Sequence, residues 1–228
     1  MLFPIGDDNI KGGHFPLFSY GLIALNVLAF IYQGMQGAQQ EAFLYQYGAI
    51  PAAIVHGEQW HTLLTSMFLH GGLGHLLGNM LFLWIFADNI EATIGSRRFL
   101  IFYLLAGLAA QAGHIYFDPY STVPTIGASG AISGVMGAYM VMYPASRVRV
   151  LFLIFPFYLP AFLFLGIWIY LQFQSGMGVL EQSVEGGGIA YWAHIGGFVF
   201  GLFAGWYYRV QGYRANAAFI GEEGEYGR

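Results

Sequence analysis

Six stretches of this chain contain no Asp, Glu, Lys or Arg, and each is long enough to cross a lipid bilayer. They run over 12–40, 59–87, 99–117, 119–146, 150–180 and 186–208. A helix needs about 20 mostly apolar residues to cross a hydrocarbon core of about 30 Å. The simplest interpretation is an all-α membrane protein, a bundle of six transmembrane helices that forms one domain over residues 1–228.

The composition excludes several classes of protein. Only 9% of the residues are charged and 57% are hydrophobic, whereas a soluble domain is about 25% charged. A soluble enzyme and a disordered protein are therefore excluded. Eight Lys and Arg against 12 Asp and Glu form no basic surface for nucleic acid, and a chain without Cys has no disulfides or thiolate metal sites.

The positive charges predict the orientation of the chain. With six spans, all 8 Lys and Arg residues fall on one side, which the positive-inside rule assigns to the cytoplasm. Both termini would then be cytoplasmic, with short solvated tails at 1–14 and 212–228. A long loop, roughly 36–70, would lie outside between the first two spans. An even span count and a short N-terminus suit a bacterial inner membrane.

Three alternate spans carry polar side chains at a similar depth. Asn79, Ser129 and His194 lie fifteen to eighteen residues before the arginine that follows each span. Polar groups inside a span are costly and by default indicate a functional site. Their common depth predicts that the amide, the hydroxyl and the imidazole act together.

The fourth span is unusually short. Pro124 and Gly127 precede it and Pro144 ends it, so a helix from Ser129 to Tyr143 is only about 22 Å long. We expect this helix to begin below the outer surface, after a dipping loop near 119–128. Such non-helical backbone requires surrounding protein or a water-filled cavity, which predicts a cavity open to the outside.

Ser129 is the candidate nucleophile because it opens that helix. The first backbone N–H groups of a helix lack intrahelical partners and favour negative charge. Ser133 lies one turn deeper, where it would pack or line the cavity. Gly127 and Gly130 leave room for a substrate backbone.

His194 is the candidate base because a serine hydroxyl needs one within hydrogen-bond reach. Glycines at four-residue spacing let helix backbones approach closely. They occur in both spans, at Gly130, Gly134, Gly197, Gly201 and Gly205. No acid lies at that depth, which favours a Ser-His dyad over a triad.

Metal and aspartyl chemistry are not expected. The histidines at 56, 61, 70 and 75 are spaced by five, nine and five residues, and no H-E-x-x-H motif occurs. Asp88 is the only Asp near a span interior. We therefore expect neither a cofactor nor a metal ion. A structural alternative remains, since intramembrane Ser, Asn and His often form only interhelical hydrogen bonds.

Four short motifs resemble those of the rhomboid intramembrane serine proteases. Gly127-Ala128-Ser129-Gly130 is similar to the G-x-S-G motif of that family's fourth span, and Ala193-His194-Ile195-Gly196-Gly197 to the A-H-x-x-G motif of the sixth. His75-Leu76-Leu77-Gly78-Asn79 resembles H-x-x-x-N of the second span, and Glu91 with Gly95 resembles the E-x-x-x-G that follows. The resemblance covers residues 15–210.

The resemblance implies hydrolysis of transmembrane substrate proteins near the outer membrane boundary, without a cofactor. Ser129 would attack the peptide carbonyl, and His194 would act as general base and then as acid. The amide of Ser129 and the side chains of His75 and Asn79 would hold the oxyanion. The residues expected to line the substrate cavity are Gly127, Ala128, Gly130, Ser133 and His70.

Two positions differ from the family pattern. Many members have Trp-Arg in the first loop, where this chain has Trp60-His61, and some have an aromatic residue at the position of Ser133. A catalytically silent rhomboid-like protein that escorts transmembrane clients is the alternative. A transporter would need charged residues at mid-membrane or broken repeats, and neither is present. The lipid bilayer and the substrates are the expected partners, and the sequence does not predict an oligomer.

Overall fold

The computed structural model describes residues 2–8, 14–182 and 190–213. Within these ranges the chain is mostly helical and carries one antiparallel sheet of three strands. The helices are α1 Leu17–Gly34, α2 Gln40–Tyr47, α3 Pro51–Val55, α4 Thr62–Thr65, α5 Leu73–Ile94, α6 Ser96–Phe117, α7 Ser129–Met142, α8 Ala161–Gln182 and α9 Tyr191–Val210. The strands are β1 Leu2–Asp7, β2 Arg147–Phe152 and β3 Phe155–Pro160.

Three of these helices, α1, α5 and α6, are long and apolar enough to cross a membrane. Helices α8 and α9 have 22 and 20 residues, and the apolar α7 has only 14. The outward faces of these helices carry apolar side chains, such as Leu28 on α1 and Phe203 on α9, which are 62% and 69% exposed. Helices that are apolar on all sides are typical of a membrane environment.

A buried carboxylate fixes the start of α1. Glu91, on α5, accepts hydrogen bonds from the backbone N–H groups of Phe18 (3.0 Å) and Ser19 (2.7 Å) and from the Ser19 hydroxyl (2.7 Å). The first N–H groups of a helix lack intrahelical partners and favour a nearby anion. This contact joins the end of α5 to the start of α1.

The segment between α1 and α5 contains local structure. The short helices α2, α3 and α4 lie here, in the region predicted as the long first loop. Gln33, near the end of α1, holds the far end of the segment, because its amide exchanges hydrogen bonds with the backbone N–H and C=O of His70 at 3.1 and 2.6 Å. The long helix of the second charge-free run, α5, begins only at Leu73.

Glycines allow α7 and α9 to pack with their backbones in contact. A Cβ atom added at Gly201 would meet the carbonyl group of Gly134, and one at Gly197 would meet that of Gly130. At Gly205 it would lie 2.8 Å from the Cα atom of Ala138. The predicted close approach of these two helices is confirmed.

The sheet corrects the expectation that the chain is entirely helical. Strand β2 pairs with β1 on one side and with β3 on the other. In β2 the side chains of Arg147 and Arg149 are exposed, whereas Val148 and Val150 are buried. This alternation with a period of two is typical of a strand. The sequence interpretation missed it because most of this hairpin lies inside a charge-free run that was assigned to a single span.

Two further expectations change with the sheet. The fifth charge-free run becomes helical only at Ala161, directly after Pro160, because proline removes a backbone donor and breaks regular helix. The solvated tail predicted for residues 1–14 is wrong for 2–7, which form β1. Of the second tail, predicted for 212–228, only residues 212 and 213 are described, and the rest lies outside the described residues.

Candidate active site

Helix α7 begins at Ser129, as the sequence predicted. The irregular backbone before it is held by backbone hydrogen bonds with the segment between α1 and α5. Ala49 and Thr125 exchange backbone hydrogen bonds at 3.0 and 2.8 Å, and the N–H of Gly127 donates to the carbonyl of Ser66 at 2.9 Å. Gly127 has a φ angle of 122°, a conformation that favours glycine.

The hydroxyl of Ser129 and the imidazole of His194 are in direct contact. Ser129 Oγ lies 2.8 Å from His194 Nε2, within the hydrogen-bond range that proton transfer requires. His194 is 9% exposed and lies in the first turn of α9. The contact between Gly197 and the Gly130 carbonyl brings the two helices together within one turn of both side chains.

A residue of α8 holds the other side of the imidazole. His194 Nδ1 lies 2.7 Å from the amide oxygen Oε1 of Gln172. An amide oxygen only accepts hydrogen bonds, so Nδ1 carries the ring proton and donates it to Gln172. In the neutral ring Nε2 then has a free lone pair and accepts the Ser129 hydroxyl proton.

Trp168, one turn before Gln172 on α8, packs on the same imidazole. Its ring centroid lies 5.7 Å from that of His194, and the ring planes are tilted by 38°. The sequence interpretation named neither residue. An amide inside an apolar run is itself a signal of a functional position, and that signal at Gln172 was available.

His75 and Asn79 lie beside the backbone just before Ser129. A Cβ atom at Gly127 would lie 2.8 Å from His75 Nε2 and 3.6 Å from Asn79 Nδ2. Asn79 is 7% exposed, and its Nδ2 has no hydrogen-bond partner among the described residues. A buried donor without an acceptor is costly, so this corner of the site is suited to an incoming oxygen.

The structure places most of the expected lining residues in packed interior instead of on an open surface. Ala128, Ser133 and His70 are 0% exposed. Gly130 is also buried and faces the Ala110 methyl group. Among the expected lining residues, Gly127 remains partly exposed.

Two of these buried side chains have defined surroundings. The Ser133 hydroxyl donates to the carbonyl of Ser129 at 2.6 Å, a bond within its own helix. The ring of His70 packs edge-on against that of His75, with centroids 5.1 Å apart. Burial lowers the pKa of His70 to about 4, so its imidazole is neutral at physiological pH.

His61, which replaces the arginine of the family pattern, lies away from these groups. Its side chain is exposed, and its Nε2 is 3.3 Å from the carbonyl oxygen of Gln46. Its ring also contacts that of Tyr47 edge-on at 6.3 Å. In this chain the side chain of His61, which directly precedes α4, therefore contacts the end of α2.

Comparison with known proteins agrees with the motifs. The model of the Rhomboid domain matches residues 57–211. Rhomboid protease GluP of Bacillus subtilis (strain 168) is 34% identical over 190 residues, which are 83% of this chain and 34% of that protein. Rhomboid protein 1, mitochondrial, of Saccharomyces cerevisiae is 27% identical over 193 residues, 82% of this chain and 52% of that protein. The human presenilin-associated rhomboid-like protein, mitochondrial, is 30% identical over 197 residues, 82% of this chain and 46% of that protein.

The chain thus spans about a third to a half of the length of these relatives. The matched domain covers both residues of the hydroxyl–imidazole contact, Ser129 and His194, and the helices that carry them. Together with the apolar helices, this match makes the protein a multi-pass integral membrane protein. On this evidence the chain belongs to the rhomboid family.

Proposed function

We propose that this protein is an intramembrane serine protease that hydrolyses peptide bonds of transmembrane substrate proteins. The observation that carries the proposal is the 2.8 Å contact between Ser129 Oγ and His194 Nε2 at the start of α7. The hydroxyl of an unactivated serine is a weak nucleophile, and an adjacent base that accepts its proton activates it.

The reaction would proceed in two halves. As Ser129 Oγ forms a bond to the scissile carbonyl carbon, its proton passes to His194 Nε2. The same proton then moves to the leaving nitrogen as the C–N bond breaks, which leaves an ester on Ser129. A water molecule, deprotonated by His194, attacks this ester and releases the acid and the free hydroxyl.

The negative charge of the intermediate needs donors that already point to it. The backbone N–H of Ser129 stands at the first turn of α7, where no intrahelical acceptor exists. Asn79 Nδ2 is a buried donor without a partner among the described residues, and His75 Nε2 lies beside Gly127. We assign these three groups to the oxyanion site.

The membrane arrangement is part of the same proposal. Helices α1, α5, α6, α7, α8 and α9 would be the six spans, with both termini in the cytoplasm. The start of α7 would then lie below the outer surface, in a water-filled cavity open to the extracytoplasmic side. The charge distribution supports this orientation. A bacterial inner membrane is the proposed location, although two of the relatives above are named as mitochondrial.

The test compares the purified wild type with Ser129→Ala on a transmembrane substrate protein in detergent or liposomes. We expect cleavage by the wild type and none above background by Ser129→Ala, because the nucleophile is absent. The matched control is Ser175→Ala, because the side chain of Ser175 is exposed on α8. This control should cleave at the rate of the wild type.

Labelling with a fluorophosphonate gives a readout that does not depend on the choice of substrate. The wild type and Ser175→Ala should become labelled, and Ser129→Ala should not. If both serine variants cleave the substrate equally well, the assignment of Ser129 is wrong. If the folded wild type is neither labelled nor active, the protein is a silent member of the family that binds transmembrane segments.

A further inference from the structure

The imidazole of His194 is held from a third helix by an uncharged side chain. The amide oxygen of Gln172, on α8, accepts the Nδ1 proton at 2.7 Å. Within the part of the chain that the structure describes, Gln172 is the only side chain that hydrogen-bonds this nitrogen. The Ser129 hydroxyl occupies Nε2, so both ring nitrogens have a partner.

We propose that Gln172 is a positioning residue for His194 and serves as the third member of a Ser-His-Gln arrangement. This inference rests on the proposed function, in which His194 is the general base. In serine proteases with a triad, an acid in this position selects the ring tautomer and stabilises the imidazolium that forms during attack. Gln172 selects the same tautomer through its carbonyl dipole and adds no charge to the buried site.

Trp168 restricts the ring in a second direction. It lies four residues before Gln172, and residues at this spacing share one face of a helix. Its ring packs against His194 and also against Phe198, with centroids 6.0 Å apart in the second contact. The hydrogen bond that His194 Nδ1 donates to Gln172 sets the rotation of the imidazole about its own axis, and the indole limits its swing toward α8.

The same face of α8 continues to contact α9 one turn further along. A Cβ atom at Gly176 would lie 3.3 Å from the ring of Trp192. Trp168, Gln172 and Gly176 therefore lie in one row on the face of α8 that contacts α9. The position of Gln172 relative to His194 thus depends on the packing of two helices and not on a flexible loop.

The decisive substitutions are Gln172→Met and Gln172→Glu. Methionine has nearly the same length and shape but no strong acceptor, and glutamate keeps an acceptor oxygen at the same reach. We expect Gln172→Met to lower kcat by about tenfold to a hundredfold, part of the 10²–10⁴-fold that general base catalysis contributes. KM should change by less than about twofold, because Nδ1 faces away from the substrate.

Gln172→Glu should retain kcat within about threefold of the wild type, because an acceptor on Nδ1 is the property that general base catalysis needs here. A purely structural role predicts the opposite order, since methionine preserves the packing and glutamate buries a charge. Gln174→Met is the control for the same change on an exposed position of α8 and should leave kcat unchanged. All variants are compared at equal folded fraction, measured by thermal unfolding.

Nitrogen NMR of protein labelled in its histidine rings tests the inference without turnover. The chain has 7 histidines, and a His194→Phe spectrum assigns the signals of this ring. The wild type should show Nδ1 protonated and Nε2 bare, and Gln172→Met should show a mixture of the two tautomers. A wild-type kcat for Gln172→Met, or an unchanged tautomer in that variant, overturns the inference. An inactive wild type with the expected tautomer contradicts the proposed function but not the role of Gln172.

Discussion

The properties of single residues explain why the hydroxyl of Ser129 is set apart from the other serines. Ser129 contacts a ring nitrogen that the bond to Gln172 leaves without a proton. Ser133, one turn away, instead donates to the backbone of its own helix. The two serines therefore differ in the acceptor that each hydroxyl finds. Asn79 also differs from a side chain with a purely structural hydrogen bond, because its buried Nδ2 finds no acceptor among the described residues.

Replacing Asn79 by Ala should slow turnover by up to about 10²–10³-fold, the loss seen when one oxyanion donor is removed. The effect should appear in kcat, because the bond forms only as the oxyanion develops. Kinetics on a transmembrane substrate provide the measurement. Asn26→Ala on α1 is the matched control, since Asn26 Nδ2 donates to the carbonyl of Leu22 in its own helix. An unchanged kcat for Asn79→Ala would remove Asn79 from the mechanism.

Among the elements, the pair α7 and α9 sets the distance between the Ser129 hydroxyl and the His194 imidazole. Gly134 and Gly201 face each other there, and a methyl group on Gly201 would lie 2.9 Å from the Gly134 Cα atom and would overlap its carbonyl. Backbone atoms cannot rotate out of the way as a side chain can. Helix α8 then adds Gln172 from the side, so three elements contribute to one hydrogen-bonded chain.

Gly201→Ala should therefore destabilise the protein, although Ala is favoured over Gly in a helix by about 1 kcal/mol. Overpacking costs about 1–3 kcal/mol, which should outweigh the propensity and lower the melting temperature. Activity should fall as well, because the two helices must separate. Differential scanning fluorimetry of Gly201→Ala and Gly21→Ala tests this, since nothing lies within 4 Å of a Cβ at Gly21. Equal melting temperatures for the two variants would contradict the packing argument.

For the molecule as a whole, the sheet joins distant parts of the chain at one end of the bundle. Asp7, at the end of β1, accepts hydrogen bonds from Asn89 of α5 (2.8 Å) and from the hydroxyl of Tyr139 of α7. Burial, reinforced by the nearby Asp88 carboxylate, raises the pKa of Asp7 to about 7. A carboxyl group with a raised pKa binds its proton more tightly in the folded chain than in the unfolded chain.

Stability should accordingly depend on pH through Asp7. Between about pH 4, the ordinary value for Asp, and about 7 the folded state holds one more proton than the unfolded state. The free energy of unfolding therefore falls as the pH rises through this range. We expect the melting temperature of the wild type to drop by at least about 2 °C more than that of Asp7→Asn between pH 5 and 8.

Thermal unfolding across this pH range provides the measurement. Glu58→Gln is the matched control, because Glu58 is exposed between α3 and α4 and is not among the groups that shift the pKa of Asp7. Its pH dependence should match that of the wild type. Parallel pH profiles for the wild type and Asp7→Asn would show that the carboxyl of Asp7 is already ionised in the folded protein.

Much of the site followed from properties that are local along the chain. The charge-free runs 12–40, 59–87 and 99–117, which contain most of α1, α5 and α6, predicted membrane-spanning helices, because burying a charge in lipid is costly wherever it occurs. The start of α7 at Ser129 followed from the prolines and glycines around it. Glycines at four-residue spacing predicted the contact between α7 and α9. Each of these signals acts through residues that are close in sequence.

The identities of distant partners were not available from the sequence. Residue spacing alone did not show that Gln172 would face His194 Nδ1, that Trp168 would pack on the same imidazole, or that the N-terminal strand would pair with β2. A hydrogen bond or ring contact forms between whichever side chains the packing brings together, and that packing depends on all helices at once. The sequence by itself determined which segments avoid water and which polar groups enter the bundle. Only the tertiary structure decided which of those groups meet, because contact geometry is a property of the whole assembly of elements.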